Sequence, residues 1–77
     1  MLAYTLCYTK TESGYTGQLL EWPEIISEGA TIEECRSMVE DAAREMMEVY
    51  REDGLPVPQG HIFFESITIH EHVGQPA

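Results

Sequence analysis

Three histidines, two cysteines and fourteen carboxylates are the residues of this 77-residue chain that could do chemistry. His70 and His72 are two apart, so on a strand they share a face and could offer two imidazoles to a metal. His61 has the opposite parity, Glu71 points away, and neither Cys7 nor Cys35 is spaced to join them. Zinc takes about four ligands, so the expectation is half-exposed strand histidines, no metal and no cofactor. Ser13, Ser27, Ser37 and Ser66 lack a Gly-x-Ser-x-Gly setting. There is no Gly-x-x-x-x-Gly-Lys phosphate loop, and Lys10 is the single lysine. Neither cysteine lies in a motif that lowers a thiol pKa, and both read as small buried hydrophobes. No catalytic constellation is legible, and the chain is read as a non-enzyme.

The charge balance says more about partners than about catalysis. Fourteen acidic against four basic residues give a formal net charge of −10. Phosphate backbones are bound by Lys and Arg that displace counterions, so nucleic acid is not expected as a partner of this chain alone. Anionic membrane surfaces are disfavoured for the same reason. A basic protein is the natural complement, although acidity also serves solubility by itself. Two cysteines make neither a disulfide framework nor a zinc site. The start, Met1-Leu2-Ala3-Tyr4, has no basic region or cleavage-like site, and no run approaches the ~20 apolar residues that span a bilayer. A reducing cytoplasm is the expected location.

The elements that must position these residues follow from periodicity. Leu2 to Lys10 alternates, with Leu2, Tyr4, Leu6 and Tyr8 on one side and Ala3, Thr5, Cys7 and Thr9 on the other, which is a period-two strand. Thr11-Glu12-Ser13-Gly14 suits a hairpin connection to a second strand, Tyr15 to Glu21. Trp22-Pro23-Glu24 breaks that strand, because proline cannot donate to a ladder. Ile25 to Glu28 reads as a short third strand closed by Gly29. Thr31-Ile32-Glu33-Glu34 is a capping box. Beyond it Ile32, Cys35, Val39, Ala42, Ala43, Met46 and Tyr50 recur at helical spacing. The helix is predicted from about Thr31 to Glu52, with Gly54 ending it and Pro56 and Pro58 preventing continuation. Arg36–Glu40 and Arg44–Glu48 are candidate ion pairs along it. His61 to His70, rich in Phe, Ile and Thr, reads as a last strand joined by a right-handed crossover. The fold class is therefore α+β, a single small β-β-β-α-β domain over 1–77, with a mostly antiparallel sheet, one long helix on one face and residues 74–77 frayed.

A lone helix covers one face of such a sheet. The last strand is apolar on both, with Phe63, Ile67 and Ile69 on one side and Ile62 and Phe64 on the other. Uncovered apolar surface on a small domain marks an interface. Self-association is expected, most simply as a two-fold dimer, with Tyr4, Tyr8, Ile62 and Phe64 at the contact.

Several landmarks together resemble the HicB-like antitoxin family: Gly14-Tyr15 opening strand two, Trp22-Pro23-Glu24 after it, and Ser27-Glu28-Gly29-Ala30-Thr31-Ile32-Glu33-Glu34 leading into the helix. Asp53-Gly54-Leu55-Pro56-Val57-Pro58 leaves the helix in a form similar to that family's ending. The resemblance covers about residues 2–60. It implies a degenerate ribonuclease-H-like core, non-catalytic, that binds a small basic HicA-like messenger-RNA-cleaving toxin and blocks its active site. The sequence agrees on the lack of catalysis, since Leu2 to Lys10 holds no carboxylate to ligate a metal. Family members often carry a C-terminal DNA-binding segment, and the expectation here is a short form without one. Gly29-Ala30-Thr31 stands where the family favours Gly-Asp-Thr, and Pro23-Glu24 where it has Pro-Gly. The toxin-binding residues expected are Glu33, Glu40, Asp41 and Glu48 on the helix. The rival reading is an orphan self-associating structural or adaptor domain with no toxin partner.

Overall fold

Alternation in the first half of the chain makes a three-stranded antiparallel sheet, and the 3.6-residue stripe that follows makes one helix. The computed structural model describes residues 2–72, with β1 at Leu6–Lys10, β2 at Tyr15–Leu19, β3 at Ile26–Gly29 and α1 at Ile32–Glu52. The strand order is β1-β2-β3. The architecture is a small α+β domain. The expected fraying of 74–77 falls outside the described residues.

The β1–β2 register pairs Tyr8 with Gly17 and Lys10 with Tyr15. The Lys10 ammonium sits 4.9 Å from the Tyr15 ring centroid, so the pair is cation–π as well as cross-strand. The hairpin closes through the Thr11 amide, which donates to the Gly14 carbonyl at 2.8 Å. Between β2 and β3 the chain turns at Trp22-Pro23-Glu24. There the Ile25 amide donates to the Trp22 carbonyl, and the Leu19 amide to the Ile25 carbonyl.

Thr31 caps α1: its extended backbone turns its hydroxyl onto the Glu34 amide at 3.1 Å. The reciprocal bond from the Glu34 carboxylate is not formed among the described residues, so the capping box is half built. At the far end the Gly54 amide donates to the Arg51 carbonyl and the Leu55 amide to the Tyr50 carbonyl. Gly54 adopts φ +69°, which makes this a Schellman ending. The ion pairs differ from expectation. Arg44 reaches back to Glu40 at 3.4 Å and Asp41 at 3.1 Å rather than forward to Glu48. An acid placed before the base is the orientation the helix dipole favours.

The helix packs over β3 and β2. Gly29 permits this, because an added Cβ would lie 2.8 Å from the Cys35 Cα. The buried core is Leu19, Trp22, Ile25, Cys35, Val39 and Ala43. Cys35 is wholly buried as expected, whereas Cys7 is exposed: its side of the sheet carries no second layer. Tyr4 and Tyr8, expected at an oligomer contact, pack half-buried against the core on the helix side of β1.

The fourth strand expected at His61 to His70 is not part of this sheet. From Leu55 to His72 the chain has neither turn, bend nor ladder, and every residue from Gln59 to His72 is exposed. A strand exists only against a neighbour's backbone, and among the described residues of one chain this segment has none. It projects as an arm, and the longest dimension reaches 62 Å.

Thr31→Ala is expected to lower stability by about 1 kcal/mol through loss of the cap. Gly54→Ala should cost about 1–2 kcal/mol through left-handed strain alone, since a Cβ there meets nothing within 4 Å. Urea unfolding checks both, and equal midpoints for variant and parent would place the helix ends elsewhere.

Candidate interaction surfaces

The root of the arm is fixed by an aromatic cluster. Trp22, 1 % exposed, lies with its ring centroid 6.0 Å from that of Tyr4 and 5.1 Å from that of Tyr50, the second pair edge-to-face. The Tyr4 hydroxyl donates to the Pro58 carbonyl at 2.6 Å. Burial, and then the nearby Glu21 carboxylate, raise the Tyr4 pKa above its ordinary value. Glu21 accepts from the Thr5 hydroxyl at 2.6 Å and the Thr5 amide at 2.7 Å, and these bonds lower its pKa. Gly60 lies against the Glu21 side chain. The start of β1, the β2–β3 turn, the end of α1 and the arm therefore meet at one point. Sequence reading treated Trp22 as a strand breaker and missed this role. The signal was a lone tryptophan in a chain with few other large core residues.

Beside that point is an apolar groove of about 210 Å³ between β1 and α1, lined by Tyr4, Leu6, Leu19, Val39, Glu40 and Ala43. It exists because α1 lies over β2 and β3, leaving the helix side of β1 without a full cover. The Tyr8 hydroxyl, on the same side of β1 as Leu6, is buried without a hydrogen-bond partner among the described residues, as is the Trp22 indole N–H.

The arm carries the exposed apolar residues. Phe63 is 93 % exposed, Ile69 73 %, Ile67 72 %, Phe64 63 % and Ile62 39 %. His61, His70 and His72 are all exposed on it. No three His, Cys, Asp or Glu side chains come together among the described residues.

The third surface is the outer face of α1. Glu33, Glu40, Asp41 and Glu48 are exposed. At ~100° per residue they fall within an arc of about 100° opposite Cys35, Val39 and Ala43. Arg44 sits among them and holds Glu40 and Asp41. A hollow of about 350 Å³ between the hairpin and the start of α1 is lined by Ser13, Glu28 and Glu34 among others and includes no histidine that could activate the serine. No described helix is long and apolar enough to cross a membrane. No family model, curated protein or solved structure matches the chain.

The Glu21 bonds set a pH dependence. A carboxylate with a depressed folded pKa stabilises above its unfolded value and loses that contribution as pH falls through the folded one. From about 4.5 downward the wild type should lose more thermal stability than Glu21→Gln. Melting temperatures of the two proteins measured across pH 6 to 3 check this, and parallel curves would mean the Thr5–Glu21 pair does not hold in solution.

Proposed function

We propose that this chain is a HicB-like, antitoxin-type binding module that neutralises a small basic protein, a HicA-like messenger-RNA-cleaving toxin, by protein–protein contact. The observation that carries the reading is the outer face of α1, where Glu33, Glu40, Asp41 and Glu48 are all exposed on a chain of net charge −10. Opposite charge speeds encounter and rejects acidic competitors. The landmark residues of the antitoxin resemblance and the order of three antiparallel strands followed by a helix support the same assignment. The role needs no catalytic group. A second reading, an orphan self-associating domain without a toxin, is favoured by the exposed apolar arm.

Co-expression with a small basic HicA-like protein, such as one encoded by a neighbouring gene, is expected to give a stable complex in pull-down, and a clean failure would favour the second reading. Within such a complex, Glu33→Lys, Glu40→Lys, Asp41→Lys and Glu48→Lys combined should slow association by at least about tenfold at low salt and flatten its salt dependence. Stopped-flow association measured at several salt concentrations checks this. Unchanged kinetics would put the interface on the sheet.

A further inference from the structure

We infer that residues 61–70 form the missing strand of this fold in trans: the arm of one copy adds to the free β1 edge of a second copy, and the exchange is reciprocal. Three independent features point there. The arm is a run of β-favouring residues with no turn or bend, and Phe63, Ile67 and Ile69 stand largely exposed on one of its sides. Among the described residues, the outer edge of β1 has no neighbour in the sheet. The groove beside that edge is apolar and open, lined by Tyr4, Leu6, Leu19, Val39 and Ala43 with Glu40 at its rim.

The β1 edge fits better than the β3 edge. The hollow near β3 is bordered by both Glu24 and Glu45, and β3 is shorter, with four residues against five. The helix already covers β3, so a strand added there gains little. Beside β1, Phe63, Ile67 and Ile69 enter the groove while Ile62 and Phe64 take the side of the sheet that carries Cys7.

A second copy is the occupant because one chain carries both halves of the contact. A foreign partner would fill the groove or pair the arm, and leave the other unsatisfied. The arm leaves the body beside Tyr4, where Pro58 is hydrogen-bonded and Gly60 rests on Glu21, close to the start of β1. Donor root and acceptor edge therefore lie on the same side of each chain, so a single two-fold axis satisfies both and closes the assembly. Pro56 and Pro58 stiffen the linker and direct the arm away from its own body. The β1 edge of each copy is also covered, and the arm gains the backbone neighbour that it lacks.

Light scattering on the intact chain should give twice 8.7 kDa at micromolar concentration. Ile67→Pro, which removes a ladder donor and clashes with pairing, should raise the dissociation constant by at least about tenfold while the helical circular dichroism of α1 is retained. Geometry is read separately by oxidation. Ser66→Cys or Thr68→Cys places a thiol on the Cys7 side of the arm; each is made together with Cys7→Ser and mixed with chains that keep Cys7. A covalent dimer between the two kinds of chain is expected. In chains that keep Cys7 and carry the arm cysteine, a disulfide formed within one chain would show the arm folding back on its own β1 and would overturn the inference. So would a monomer at all micromolar concentrations, or a dimer that Ile67→Pro leaves unchanged.

Discussion

The packing of Trp22 is the contact on which the joining of the sheet, the helix end and the arm depends. Its indole is buried between Tyr4 and Tyr50, and the Tyr4 hydroxyl in turn donates to the carbonyl of Pro58, 54 positions further along the chain. One side chain thus couples the start of β1, the turn before β3, the last turns of α1 and the root of the arm. Removing a buried tryptophan costs about 3–5 kcal/mol in a typical core. Here that is a large part of the 5–15 kcal/mol that folded domains hold in total. The core it completes is small, with five other buried residues, two of them Cys35 and Ala43. Small residues on the helix stripe are what let α1 approach β2 at Gly17, whose missing Cβ would stand 2.9 Å from the Cys35 sulfur.

That close approach decides what remains uncovered. A helix seated over β2 and β3 cannot also cover β1, so the groove at the β1 edge follows from the position of α1. The polar side of the sheet needs no second layer. Cys7, Thr9 and Glu28 are exposed there, and Ile26 is a single apolar residue among them. Unsatisfied apolar surface is concentrated at the groove and the arm.

Much of this was legible in the sequence. Alternation in Leu2 to Lys10 located β1, and the Thr31 cap and Gly54 stop located α1 to within a residue, because these signals are local. The strand ends were less legible: Leu2 to Thr5 lies beyond the β1 ladder, and Leu20 and Glu21 beyond that of β2, since pairing depends on where the neighbour ends. The direction of Arg44 was missed because i,i+4 spacing is symmetric while the helix dipole is not. Tyr4 and Tyr8 were assigned to the correct face of β1, but which face the helix would cover depends on Cys35, Val39 and Gly17 meeting across the fold. The acidic residues of α1 could be placed opposite the apolar stripe by angle alone. The aromatic cluster could not be placed, because its members are brought together by three different elements.

The arm is where local signal and single-chain structure part. Its composition specifies a strand, and nothing in its own chain supplies the neighbour. The three large apolar residues on its groove side, Phe63, Ile67 and Ile69, at about 1.5–3 kcal/mol each when fully buried, represent a gross gain of roughly 5–9 kcal/mol, comparable with the stability of a whole domain. Leaving that unrealised would be a poor solution for a chain whose own core is small. Burying it at β1 does not consume the acidic face, because the groove opens on the flank of α1 while Glu33, Asp41 and Glu48 point away from the sheet. Glu40 is the exception. It borders the groove and is also held by Arg44 on the acidic face. A strand seated beside β1 would therefore act on the Glu40–Arg44 pair directly, and self-association and the binding of a basic partner would be coupled through that one carboxylate.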